Sequence, residues 1–249
     1  MAKKKDEVKL PRSGVENYSC GRGASCRGVG VVKARDCIWV KDVTLTGDAP
    51  KGFVRLYEFQ RDGRTRRRNL FTLQFVERAV TKAFPKERDA ILGDLVRLLL
   101  FDAMVGNNDR HFYNWAVIQP FDKRRKARFS PAYDTARGLF WNSSDEQLQM
   151  RVRQKDVARY VKKYCDNSRP KLGWESVADL NHFDLVKEIF TNEFYITRDE
   201  MRTLFRSEML SAMQDTVNRE FSRLFSRERM MMINECLSYR HKTIWEIIK

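Results

Sequence analysis

The chain has 249 residues, 42% of them hydrophobic and 12% aromatic, with a formal net charge of +15. That length and apolar content exclude a chain disordered over most of its extent and allow one large domain or two lobes with a real core. The charge implies attraction to polyanions such as nucleic acid, acidic protein surfaces or nucleotide phosphates, and says nothing of chemistry.

Residues 1–14 read as a flexible basic leader. "MAKKKDEVKLPRSG" lacks the apolar stretch of a secretory signal, and no run of 18 apolar residues occurs, so a soluble, cytoplasmic protein is expected. Five cysteines, an odd number in a chain that does not need staples, suit a reducing compartment without a disulfide framework. The spacing of Cys20, Cys26 and Cys37 matches no usual zinc-ligand pair.

Residues 15–60 are predicted as a small β-rich lobe. The runs "VGVVKA", "CIWVKDVTL" and "FVRLYEF" carry β-branched and aromatic residues between turn signals such as "RD" and "GDAPKG". The basic stretches "RDGRTRRR" (Arg61 to Arg68) and "DKRRKAR" (Asp122 to Arg128) read as solvated loops.

Residues 61–249 are predicted as a mostly helical lobe. Leu73, Val76, Val80 and Phe84 recur at helical spacing, with Asn69 as the expected cap. "KERDAILGDLVRLLLFDAMV" is apolar nearly all round, which marks a buried helix. "WAVIQP" then reads as a buried strand, and "RFSPAYDTARGLFWN" as a second strand and loop. From about Asp145 onward helical patterns dominate, with Met230, Met231 and Met232 expected to pack in the core.

Between the buried helix and the buried strand lies "VGNNDRHFYNWAVI". Asp109 and Asn114 stand five residues apart in this loop, and Asp134 follows the next strand. A helix-loop-strand-strand unit brings the loop close to the end of the second strand. Magnesium takes oxygen ligands, usually one or two protein groups plus nucleotide phosphates, and Asn114 and Asp134 are of that type. A further carboxylate, Asp109, suits the base role toward an attacking hydroxyl.

"GNNDRHFYNWAVI" followed by "SPAYDTARG" resembles the HipA-like kinases, whose loop carries a catalytic Asp, an Asn five residues later and a metal-binding Asp after the next strand. The Asp-Arg-His-x-x-Asn run is also similar to the catalytic loop of lipid kinases. The resemblance implies an α+β, bilobal protein-kinase-like fold with a small, shortened β-rich N-lobe and a mainly α-helical C-lobe. It implies an ATP- and magnesium-dependent protein serine/threonine kinase. Asp109 matches the catalytic Asp, Asn114 the metal-binding Asn and Asp134 the metal-binding Asp. His111 is expected to brace the loop, and Arg110 either to face the phosphoryl group or to pair with an acidic neighbour.

For the phosphate chain, "GRGASCRGVGVVKARDCIWVK" offers Gly28 and Gly30 with Lys33 or Lys41, although the glycine spacing is not that of protein kinases. The interval from Lys41 to Asp109 is short for a complete nucleotide lobe, and Glu58 is the nearest acidic partner for the lysine. A protein substrate is implied, together with an antitoxin or host-protein partner, because HipA-like proteins often act as toxins or secreted effectors. Other readings are a lipid kinase, a kinase-shaped regulatory protein without turnover, and a nucleic-acid-binding module.

Overall fold

A computed structural model describes residues 71–111, 114–120 and 126–249, together with the backbone of the strands within 18–57. The leader 1–14, the glycines Gly28 and Gly30, the cap Asn69, Glu58, and the "RDGRTRRR" cluster lie outside the described residues, as does most of "DKRRKAR".

Seven strands are described, in chain order: β1 (Tyr18–Cys20), β2 (Ala24–Cys26), β3 (Val32–Lys33), β4 (Ile38–Thr46), β5 (Ala49–Tyr57), β6 (Val117–Pro120) and β7 (Arg128–Phe129). β1 and β2 pair as a hairpin, and the others make one antiparallel sheet in the order β3-β4-β5-β6-β7. The long β4–β5 hairpin joins the helical part of the chain through β5 and β6, with Val54 opposite Val117. Most of "GDAPKG", expected as a turn, is strand: β5 already starts at Ala49, and Pro50 pairs with Leu45.

Eight helices are described: α1 (Leu73–Ala83), α2 (Arg88–Val105), α3 (Asp145–Arg153), α4 (Val157–Asp166), α5 (His182–Asn192), α6 (Arg198–Leu204), α7 (Ser207–Phe221) and α8 (Arg227–Ile248). Helix α1 is capped by Thr72, whose hydroxyl accepts from the Phe75 amide at 3.2 Å. α3, α5 and α6 open with capping boxes on Ser144, Asn181 and Thr197. The long pattern from Arg198 is two helices broken at Phe205–Arg206. There Arg206 turns extended, and Phe205 buries its ring and accepts from His241 through its carbonyl.

The core centres on α2. Ile91, Leu92, Leu95, Val96, Leu99 and Leu100 are essentially inaccessible, each worth about 1.5–3 kcal/mol relative to exposure. α8 packs across α2 and closes the core with Ile233, Leu237, Ile244 and Ile248. The methionine stripe divides: Met232 is buried, whereas Met231 faces solvent because one helical face cannot hold three consecutive residues. Among the described residues no helix is long and apolar enough to cross a membrane.

Helix α2 ends at Gly106, in the left-handed conformation (φ 68°), with its amide donating to the Asp102 carbonyl. Helix α2 has no basic residue in its last turn, and α8 supplies one: buried Arg240 donates to the Ala103 carbonyl at 2.9 Å. The cation thus meets the negative end of the helix dipole and lies over the Phe183 ring, 5.6 Å from its centroid. A Cβ on Gly106 would fall 2.5 Å from Arg240 Nη2. Gly106→Ala is therefore expected to destabilise the protein by at least about 1–3 kcal/mol, from the positive φ alone. Urea unfolding at equilibrium measures it, and an unchanged midpoint would contradict the packing described.

Candidate active site

The loop leaving α2 is organised around one buried ion pair. Asp102, in the last turn of α2, accepts from Arg110 Nε at 2.7 Å and from Arg110 Nη2 at 2.9 Å, and both side chains are almost wholly inaccessible. Asn107 Nδ2 gives Asp102 Oδ1 a third bond at 2.9 Å. Burial pushes the Asp102 carboxyl up, while Arg110 and Asn107 pull it back toward the charged form. A carboxylate holding three charge-assisted or amide bonds in this fixed fork sets the exit direction of the loop.

The remaining face of Arg110 ties two segments together. Its Nη1 donates to the Asn114 carbonyl and to the Tyr133 carbonyl, each at 2.6 Å. One guanidinium thus joins the helix end, the last residue of the loop and the residue immediately before Asp134. Of the two roles the sequence offers for Arg110, the structure shows the pairing with an acidic neighbour, Asp102, and the guanidinium is buried with bonds on both sides.

Asp109 is held through its backbone. Its amide donates to Asn107 Oδ1 at 3.2 Å, and its carbonyl accepts from the His111 amide at 2.7 Å and from Asn114 Nδ2 at 2.8 Å. The Asp109 carboxylate is left to side-chain chemistry and forms an ion pair with Arg137, Oδ2 to Nε 3.1 Å. His111 links the loop through its main chain, its amide bonding back to Asp109 and its carbonyl accepting from the Asn114 amide at 2.9 Å.

Asn114 is buried, and because its Nδ2 is committed to the Asp109 carbonyl, its Oδ1 is the amide's remaining coordinating atom. Asp134 is exposed and in the left-handed region (φ 51°). The chain beyond it is anchored again: the Arg137 carbonyl accepts from the Asn108 amide at 3.3 Å, and the Leu139 amide donates to the Val105 carbonyl at 2.9 Å. Gly138 permits this approach, since a Cβ there would stand 2.6 Å from the Val105 oxygen. Phe140 is then buried against Tyr164, centroids 4.2 Å apart, and its amide donates to the Tyr164 hydroxyl at 2.8 Å. Burial pushes that phenol up to about 12.

The amide oxygen of Asn114 and the carboxylate of Asp134 are hard oxygen donors, the kind magnesium takes. Among the described residues no three His, Cys, Asp or Glu side chains converge as a metal site. Two such donors suit a cation that completes its shell with phosphate oxygens. Lys41 lies in β4 opposite Val54, two strands from Val117 of β6, and Lys33 lies in the edge strand β3. Their side chains are outside the described residues.

Behind the loop sits His182, buried in the first turn of α5. Among the described residues neither ring nitrogen has a hydrogen-bond partner that meets ordinary geometry. Burial first, then the charge of Arg240, hold its pKa down at about 3. The unfolded chain binds this proton below about 6.5 and the folded one only near 3, so stability falls as pH drops between those values, with a slope of up to about 1.4 kcal/mol per pH unit. His182→Gln is expected to flatten the unfolding free energy between about pH 6.5 and 5, above the range where ordinary carboxylates titrate. An unchanged slope in urea melts across that window would place the proton elsewhere.

Asp102, Asn107, Arg137, Arg240 and His182 were not singled out by the sequence reading. Asp102 had a legible signal, being an acidic residue in the last turn of a helix otherwise apolar. The others depend on contacts made over long separations.

Comparison with known proteins bears on the family and the fold. Residues 59–219, about two thirds of the chain, match the family model described as the HipA-like C-terminal domain. A curated protein of Sinorhizobium fredii, "Putative kinase Y4dM", is 42% identical over 45 residues. That segment is 18% of this chain, and the chain spans only 10% of the length of that relative. The crystal structure of the Helicobacter pylori proinflammatory kinase CtkA superposes with a TM-score of 0.54 at 14% identity, over 84% of this chain and 75% of that one. The fold is therefore that of a kinase, with a mainly helical lobe and a small β region, and the chain belongs to the HipA-like kinase family.

Proposed function

We propose that the chain is an ATP- and magnesium-dependent protein serine/threonine kinase. The observation that carries this reading is the Arg110 clamp, which brings Asn114 and the residue before Asp134 onto one guanidinium while Asp109 keeps its carboxylate for chemistry. Family membership supports the same class of reaction.

In this mechanism a serine or threonine hydroxyl approaches Asp109, which accepts its proton as the oxygen forms a bond to the γ-phosphorus of ATP. The bond from that phosphorus to the bridging oxygen breaks, and ADP leaves. Asn114 and Asp134 would hold magnesium, which neutralises charge on the phosphate oxygens. Asn107 and Arg110 keep the base and the metal-binding pair in fixed relation, so that little reorganisation is needed at the moment of transfer. Lys41 or Lys33, with Gly28 and Gly30, is assigned to the phosphate chain on the strength of the sequence pattern. A cytoplasmic setting and a protein partner, antitoxin or host protein, complete the proposal.

The test is incubation of the whole chain with magnesium and γ-labelled ATP, in the presence of protein acceptors and, separately, inositol-lipid vesicles. Label on serine or threonine, including those of the chain itself, is the expected result. Label on lipid alone would replace this reading by a lipid kinase. Absence of magnesium-dependent ATP binding at millimolar nucleotide would replace it by a regulatory role without turnover.

A further inference from the structure

Arg137 lies three residues beyond Asp134, and no step of the mechanism above uses it. Its guanidinium touches Asp109 Oδ2 at 3.1 Å and covers the Trp141 ring, 5.0 Å from the centroid. The Arg137 side chain is 49% exposed and that of Asp109 only 13% exposed, so this cation forms the outer cover of the proposed base. Trp141 is itself 46% exposed, an indole that serves the arginine and not the core.

The main chain on both sides of Arg137 is pinned. Its own carbonyl accepts from Asn108, and the next two residues are fixed against the Val105 carbonyl. Any rearrangement here therefore belongs to the side chain alone. A half-exposed ion pair in high dielectric is held only weakly. A nucleotide triphosphate brings several negative charges and oxygens suited to the guanidinium fork, which a single carboxylate cannot match. The carboxylate oxygen that the guanidinium occupies is closed to a substrate hydroxyl, so turnover favours release of Asp109.

We propose that Arg137 is a phosphate-contacting residue: its guanidinium, resting on Asp109 and Trp141, moves to the terminal phosphate of ATP when nucleotide binds, freeing the base and stabilising charge on the transferring group. Trp141 is the ledge from which it moves. This rests on the kinase reading, and the closing experiment separates the two.

Steady-state kinetics of the whole chain and of Arg137→Ala, Arg137→Lys and Trp141→Phe are measured with magnesium ATP, alongside tryptophan emission during titration with a non-hydrolysable ATP analogue. Arg137→Ala is expected to lose about 10²–10³-fold in kcat, the loss typical of removing one donor to developing charge. Its melting temperature should match wild type, because so exposed a pair adds little to stability. Arg137→Lys keeps the charge without the fork and should recover part of the rate. The analogue should change emission in wild type, and the change should be lost in Trp141→Phe and in Arg137→Ala. Wild-type kcat in Arg137→Ala would overturn the proposal while leaving the kinase reading in place, and a raised kcat would do the same by making Arg137 an inhibitory cap. Absence of turnover by the wild-type chain would overturn both.

Discussion

Replacing Asp109 by Asn is expected to lower kcat for phosphate transfer by about 10²–10⁴-fold, the range a positioned general base supplies, while leaving the fold intact. The separation of the two effects follows from how the residue is held. At this position the loop is shaped through main-chain atoms of Asp109: the amide to Asn107, and the carbonyl to His111 and Asn114. The side chain contributes an ion pair with Arg137, whose exposed arginine makes it worth about 1 kcal/mol or less. An amide of the same shape keeps the packing and cannot take a proton. Magnesium-dependent nucleotide affinity, measured by calorimetry, should therefore persist in Asp109→Asn while single-turnover transfer falls. Transfer that survives the substitution would remove Asp109 from the mechanism.

The second large effect concerns stability. Arg110→Ala leaves Asp102 buried without its cation, and loss of one partner from a buried pair typically costs about 3–5 kcal/mol. Against a total of about 5–15 kcal/mol for a domain, that is a large fraction. The substitution also strips donors from the Asn114 and Tyr133 carbonyls, so the loop and the Asp134 segment lose their common anchor. Asp102→Ala should cost about as much, by stranding the guanidinium. Replacing both, as Asp102→Leu with Arg110→Met, removes the uncompensated charge and should recover much of the stability. Activity should not return with it, since no residue then ties Asn114 to Tyr133. Equilibrium urea unfolding and a transfer assay on the same three variants decide this. A double variant as active as wild type would reduce Arg110 to a packing residue.

The spacing of Asp109, Asn114 and Asp134 was legible because the flanks were: a helix apolar all round and a short apolar run declare buried elements, and polar residues between them need a reason. The direction in which the loop leaves the helix was not legible. It depends on Asp102 meeting Arg110 eight residues later, which in sequence reads as one acidic and one basic residue among many. The sequence offers Arg110 two roles, and its buried pairing with Asp102 is visible only in the structure.

Thr72 caps α1, three residues closer to the helix than Asn69, and fits the same capping rule. The break between α6 and α7 was missed since Arg206 carries no glycine or proline signal, and the burial of Phe205 that sets the break is tertiary. Pairing of β5 with β6 spans more than sixty residues, and strand composition alone does not specify such a partner. His182 and Arg240 lie far along the chain from the loop they back, and nothing in their own neighbourhoods marks them.

The proposed kinase reaction requires Asn114 and Asp134 to hold one metal ion beside Asp109. The most direct measurement is anomalous diffraction from crystals of the whole chain grown with manganese and a non-hydrolysable ATP analogue. A manganese peak bonded to Asn114 Oδ1 and an Asp134 carboxylate oxygen, with the γ-phosphate among its other ligands, is the result expected for such a hard cation. Nucleotide bound with its metal on other residues, or ordered nucleotide with no metal at this pair, would contradict the account.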